Sequence, residues 1–226
     1  MSDSIYFIGG SKGGVGKSMV AMALLHYLKE IGREVVLIDT DTSNPDVSKI
    51  YEQIVPTELL NLDEVDGWMQ LVNLCVQNKD KIVVVNTAAR NNLGAAAYGE
   101  NLNGSLPELD RKLVTLWVIN RQKDSLLLLQ DFMRAIPNGL VHVIRNGYFG
   151  DERKFETFNA SKIRKDVEGA GGKSVTFPDL ADRVADLLYT GRASLEHGLK
   201  EFDLGERSEL RRWVGATKTM FSQVVE

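Results

Sequence analysis

The tightest constraint in this sequence is one ten-residue loop, Gly9-Gly10-Ser11-Lys12-Gly13-Gly14-Val15-Gly16-Lys17-Ser18. An apolar run, Ile5 to Ile8, precedes it, and a segment follows in which Ala21, Leu24, Leu25 and Leu28 recur at helical spacing. Strand, glycine loop and helix in that order leave few ways to fold. Glycines at 13, 14 and 16 let the backbone turn tightly, so that successive N–H groups converge beside the positive end of the helix dipole. Such a loop is an anion cradle. At its exit, Lys17 brings a cation suited to the β and γ phosphates and Ser18 a hydroxyl suited to Mg²⁺. Gly13, Gly14, Val15, Gly16, Lys17 and Ser18 are therefore the predicted cofactor-binding residues of the loop.

The rest of the chain alternates short β-branched runs with longer segments of helical period, the pattern of an α/β fold with a mostly parallel sheet and helices on both faces. Predicted strands are Ile5 to Ile8, Glu34 to Asp39, Lys81 to Val85, Leu113 to Val118, Leu140 to Arg145 and Ser174 to Phe177. Predicted helices are Lys17 to Ile31, Val65 to Asn78, Ser125 to Ile136, Glu152 to Val167, Leu180 to Tyr189 and Glu206 to Val225. With 226 residues, 43% of them apolar, and no repeat or linker-like tract, the simplest organisation is one domain over 1–226. In such a sheet, ligands bind beyond the carboxyl ends of the strands.

Composition removes several function classes. A single cysteine, Cys75, excludes a disulfide framework within the chain and points to a reducing cytosol. The start, Met1-Ser2-Asp3-Ser4, has no basic and apolar signal segment, and no run approaches the roughly 20 apolar residues of a bilayer span. The expectation is a cytoplasmic protein without stable membrane insertion. His26, His142 and His197 fall on unrelated segments without ligand spacing, which argues against zinc, and His142 reads as core. With 27 basic and 31 acidic residues the net charge is −4, so any nucleic-acid contact has to be local.

Lys-Gly-Gly-x-Gly-Lys-Ser, with Ser11 where a standard P-loop has its first glycine and with the extra Lys12, is a deviant Walker A signature. On these residues the chain resembles the ParA/MinD family of P-loop ATPases over nearly its whole length. The resemblance implies ATP or ADP as ligand with Mg²⁺, and a homodimer formed on ATP binding. It assigns Lys12 to the phosphates of the partner's ATP, a second cation acting as an arginine finger does elsewhere. In the second strand, Asp39-Thr40-Asp41 resembles the family's Asp-x-Asp element. Asp41 would orient the attacking water, and Asp39 would lie nearer the Mg²⁺ shell; Thr42-Ser43 then replaces the family's usual Pro-Gln. Both aspartates also suit a turn or helix cap ahead of Pro45.

The third strand ends in Asn86-Thr87-Ala88, where the family generally has Asp-Thr-Pro. Asn86 still accepts a hydrogen bond from a Mg²⁺-bound water but brings no charge, which predicts slow hydrolysis or weakened Mg²⁺ affinity. A plain strand end is the alternative. Asn146, after the fifth strand, and Pro178, after the last, resemble the family's adenine-contacting positions. A turn residue and a helix-start proline are the local alternatives.

Arg145 to Gly150, the Phe155, Phe158 and Ile163 segment and Arg192 to Leu195 resemble a plasmid-borne branch of the family, of StbB and TraL type. The resemblance implies a slow, partner-stimulated ATPase switch in plasmid partition or conjugative transfer. Its partner would be a small plasmid-encoded DNA-binding adaptor, in a bacterial cytoplasm or on the nucleoid. In the last helix, Leu210, Trp213, Val214, Thr217, Phe221 and Val224 share a face that packs, while Arg207, Arg211, Arg212 and Lys218 leave open a nonspecific DNA contact. Two other classes stay in view. One is an ATP-occupied adaptor with negligible hydrolysis, motivated by Asn86; the other is a dethiobiotin-synthetase-like ligase, against which Lys12 argues.

Overall fold

All six predicted strands form, and a short seventh joins them. The structure, a computed structural model, describes residues 4–10 and 13–225. Its strands are β1 (Ser4–Gly10), β2 (Val35–Asp39), β3 (Thr57–Leu59), β4 (Ile82–Asn86), β5 (Lys112–Ile119), β6 (Leu140–Asn146) and β7 (Ser174–Phe177). They make a seven-stranded sheet in the order β3-β2-β4-β1-β5-β6-β7, with every pairing parallel. Because parallel strands all point the same way, the loops after β1, β2, β4, β6 and β7 gather at one edge.

The helices are α1 (Lys17–Glu30), α2 (Asp46–Tyr51), α3 (Val65–Gln77), α4 (Asn92–Leu109), α5 (Asp124–Ala135), α6 (Glu156–Asn159), α7 (Lys162–Gly169), α8 (Asp182–Thr190), α9 (Leu195–Glu201) and α10 (Leu204–Phe221). Both faces of the sheet are covered because strand side chains alternate. Tyr6 and Ile8 of β1 join α1, α2, α8, α9 and α10 in one core, whereas Ile5 and Phe7 join α3, α4 and α5 in the other. Trp213 and Phe221 of α10 pack edge-on against Phe177 at the end of β7, with ring centroids 5.4 and 6.5 Å away. Each of these fully buried side chains contributes roughly 2 kcal/mol by leaving water, and together they dock the last helix beside the β7 loop. His142 is core as predicted, its Nδ1 accepting from the Lys173 N–H at 2.9 Å.

Differences from the sequence reading have local causes. The segment 152–167, predicted as one helix, breaks into a 3₁₀ turn, α6 and α7, because Ser161 accepts from the Arg164 N–H and starts a new helix. Helix α4 escaped the pattern because it carries three glycines and Pro107, all poor helix formers. Gly94 is there for contact: a Cβ on it would lie 1.8 Å from the Leu62 carbonyl oxygen. The short elements α2, β3 and α9 are held by tertiary packing rather than by a periodic signal.

Candidate functional site

The glycine loop enters α1 through two left-handed residues, Gly14 at φ 76° and Gly16 at φ 100°. Gly16 also has no room for a side chain, since a Cβ there would meet Asn146 Nδ2 at 2.4 Å. That amide nitrogen donates to the Val15 carbonyl at 2.8 Å, and Asn146 Oδ1 accepts from the Tyr148 N–H at 3.1 Å. Asn146 thus ties the end of β6 to the glycine loop. Val15 is buried and anchors the loop in the core. No carboxylate occupies the first turn of α1, so its N-terminus keeps its positive end for an anion.

Lys17 opens α1 and is only 7% exposed. Burial pulls its ammonium down to about 8, against the partial support of Asp41. It lines a cavity of about 480 Å³ together with Gly13, Gly14, Gly16, Ser18, Asp41, Thr87 and Ala89. A second cavity of about 430 Å³ lies between Met19, Asn146, Tyr148, Phe177, Pro178 and Trp213. Gly14, Gly16 and Tyr189 line both. Asp179, Asp182 and Asp186 give the second cavity an acidic wall, while Asp41 and Asp46 line the first beside Lys17. Pro178 presents a carbonyl already accepting from Trp213 Nε1 at 2.8 Å, which fixes the β7 loop to α10.

Beneath the first cavity, Asp39 is fully buried. Its Oδ1 accepts from the Asp41 N–H at 3.2 Å and from Asn86 Nδ2 at 3.0 Å, and its Oδ2 from the Ser48 N–H at 2.9 Å. Burial raises its pKa while these three donors pull it back. Asp39 therefore organises the loop that carries Asp41 and the start of α2, and it does not line the cavity. Asn86 Oδ1 is buried and has no hydrogen-bond partner among the described residues. Asp41 opens a turn, its carbonyl and Oδ1 both accepting from the Asn44 N–H, and reaches the cavity directly.

The structure thus brings Gly13, Gly14, Gly16, Lys17, Ser18 and Asp41 to one cavity and Asn146 and Pro178 to its neighbour. Lys12 lies outside the described residues. Missed from the sequence were Met19, Thr87, Asp182, Asp186 and Tyr189. The last three share one face of α8 at helical spacing, a signal that was present, whereas Met19 and Thr87 become visible only through the fold. The basic side chains of α10 are largely engaged: Arg212 pairs with Glu209, Lys218 with Glu30, and Arg207 donates to the Lys200 carbonyl. Cys75 is buried, its thiol pushed up to about 11 by burial, which makes it inert at neutral pH. No helix among the described residues is long and apolar enough to cross a membrane.

Residues 6–147 match the CobQ/CobB/MinD/ParA nucleotide binding domain. Protein MobD of Acidithiobacillus ferrooxidans is 60% identical over 225 residues, covering 100% of this chain and 99% of that protein. Among solved structures, the MinD cell division protein of Aquifex aeolicus superposes with a TM-score of 0.54 at 14% identity, over 94% of this chain and 97% of that one. The nucleotide-binding protein of Archaeoglobus fulgidus in complex with ADP gives 0.51 at 14% identity, over 91% and 94%. At such identities the two structures speak for the fold alone, the α/β P-loop NTPase arrangement.

Proposed function

Because the chain belongs to the CobQ/CobB/MinD/ParA nucleotide-binding family, we propose that it is an ATP-driven switch that dimerises around Mg-ATP, hydrolyses it slowly, and acts in plasmid positioning or conjugative transfer through a small DNA-binding adaptor. The observation that carries this reading is the pair of cavities meeting at Gly14, Gly16 and Tyr189, one ringed by apolar and aromatic groups and the other by Lys17, Ser18 and glycine-loop backbone. A nucleoside fits the first and a polyphosphate the second.

Lys17, nearly buried beside the helix N-terminus, would hold the β and γ phosphates, and the converging glycine N–H groups the α and β oxygens. Asp41, held by the Asp39 and Asn44 contacts, would orient water for in-line attack. The site fits Mg²⁺: Ser18 lines the phosphate cavity, and Asn86 Oδ1, without a partner among the described residues, is an acceptor suited to a metal-bound water. When bound, the ion would neutralise charge on the β and γ phosphates. Asn146 and Pro178 act in this reading by shaping the adenine pocket, since their polar groups already hold the glycine loop and α10. Lys12 would reach the partner's nucleotide. The plasmid-borne StbB- or TraL-like role belongs to this proposal, as does a cytoplasmic or nucleoid location. A DNA contact through α10 would rest mainly on exposed Arg211, since Arg212 and Lys218 are paired with acids.

A second reading, an adaptor that signals by ATP occupancy, is favoured by one observation: Asn86 spends its amide donor on Asp39 and brings no negative charge toward a metal. Solution mass with ADP and with ATP plus Mg²⁺, for the native chain and Lys12→Ala, tests both readings when released phosphate is followed in the same samples. We expect an ATP-dependent dimer that the variant cannot form, with slow phosphate release. A dimer that releases no phosphate supports the adaptor. A monomer throughout, with nucleotide bound, overturns the switch.

A further inference from the structure

The turn that carries Asp41 is gripped from another loop. Residues 41–44 form a turn closed by the Asn44 N–H on Asp41, and its two central residues are Thr42 and Ser43. Arg90, four residues past the end of β4, donates from Nη1 to Ser43 Oγ at 2.7 Å and from Nη2 to Thr42 Oγ1 at 2.8 Å. Its Nε bonds the Asp63 carboxylate. The other oxygen of Asp63 accepts from Asn91 Nδ2 at 2.9 Å, and Asn91 Oδ1 accepts from the Ala88 N–H at 2.8 Å and from the Thr40 hydroxyl. A guanidinium is a planar fork of fixed donors, so three partners in three directions hold it in one orientation. An isolated exposed ion pair contributes little, but this one is part of a network that closes on itself.

Thr87 and Ala89, on the same loop as Arg90, line the same cavity as Lys17 and Asp41. Through Arg90 that loop is hydrogen-bonded to the two central residues of the Asp41 turn.

We infer that Arg90 is a positioning residue that couples the loop after β4 to the Asp41 turn, so that a γ-phosphate sensed at Thr87 and Ala89 sets the placement of Asp41. The inference rests on the nucleotide reading above. It assigns a purpose to Thr42-Ser43, hydroxyl residues at the two positions the guanidinium reaches. The three-way grip makes the Asp41 turn and the β4 loop one unit, and the free energy of binding a γ-phosphate is then shared between them, which is what coupling between sites means.

The test titrates ADP and a non-hydrolysable ATP analogue, both with Mg²⁺, against the native chain, Arg90→Ala, Arg90→Lys, and the double variant Thr42→Ala with Ser43→Ala, with a melting temperature recorded for each. The native chain is expected to prefer the analogue. Arg90→Ala should reduce that preference by about fivefold or more while ADP affinity stays within about twofold, a coupling loss at the low end of the usual range. Arg90→Lys, which keeps the charge without the fork, should behave as Arg90→Ala. The double variant leaves the Arg90–Asp63 pair in place, should lose the preference equally, and should gain no further loss from Arg90→Ala. An unchanged preference in Arg90→Ala, full recovery in Arg90→Lys, or a native chain that binds both nucleotides equally overturns the coupling. A native chain that binds neither nucleotide overturns the nucleotide reading itself.

Discussion

Asp39 and Asn86 stand opposite each other on neighbouring parallel strands, and the asparagine amide donates to the aspartate carboxylate at 3.0 Å. Both are buried, and Asp39 carries the only formal charge of the pair. A carboxylate at position 86 would face another across the same gap. The amide avoids that repulsion and supplies one of the three donors that oppose the rise in the Asp39 pKa caused by burial.

Asn86→Asp should therefore destabilise the nucleotide-free protein at pH 7 by about 3 kcal/mol, the scale of an uncompensated buried charge. The sign with pH follows from the pair: the shared proton raises the folded pKa above its unfolded value, so the penalty is present at neutral pH and shrinks as pH falls through that raised pKa. Melting curves of native and variant proteins at pH 7 and near 4.5 should converge, and Mg²⁺ with ATP should raise the variant's midpoint more than the native one. Parallel curves at both pH values would refute the carboxylate conflict.

Lys17 is a charge placed where the fold does not favour it. Its folded pKa of about 8 lies below the ordinary 10.5 because of burial. A depressed lysine costs stability at every pH below the folded value, and the cost fades as pH rises from about 8 toward 10.5. At 1.36 kcal/mol per unit the penalty is up to about 3 kcal/mol at pH 7. Lys17→Met should raise the melting temperature of the nucleotide-free protein while abolishing phosphate binding, the trade expected at a functional site. A variant less stable than the native chain would show that the charge is already compensated.

The same shift predicts how binding depends on pH. Phosphate favours protonated Lys17, so ADP affinity should be flat below pH 8 and fall by about tenfold per unit above it, as one proton must be regained on binding. Calorimetric titration in buffers of different ionisation enthalpy would count that proton. Proton uptake that does not increase between pH 7 and 9 assigns the affinity to other groups.

Gly16 and Asn146 should prove coupled. Gly16→Ala places a Cβ 2.4 Å from Asn146 Nδ2 on a backbone at φ 100°, and strain of this kind costs of order 1–3 kcal/mol. Asn146→Ala removes the clash along with the Val15 tether. In the double variant the losses should sum to less than the two single losses by at least about 0.5 kcal/mol, as for residues in contact, when read from denaturant midpoints. Strict additivity would place the cost of Gly16→Ala in its φ alone.

What could be read in advance follows chemical locality. The glycine loop, Lys17 and Ser18 do their work within one strand, turn and helix, so their spacing was sufficient to identify an anion cradle. The six buried strands were equally legible, because a parallel sheet covered on both faces demands unbroken apolar runs. Helix α4 was not, since Gly94 answers to a carbonyl of Leu62 and Gly99 to the side chain of Ile136 rather than to helix propensity. The hydrogen bond from the Asn146 amide to Val15, 131 residues away in the chain, has no signal in the sequence.

The sequence by itself determined the fold class and the phosphate loop, because both depend on residues that are neighbours along the chain. Only the tertiary structure decided that Asp39 is buried without lining the cavity of Lys17, that Asp182, Asp186 and Tyr189 line the cavity of Asn146 and Pro178, and that Arg90 holds the Asp41 turn. Those relationships join residues tens to more than a hundred positions apart, and their energies come from burial and hydrogen-bond geometry that exist only once the strands are in register.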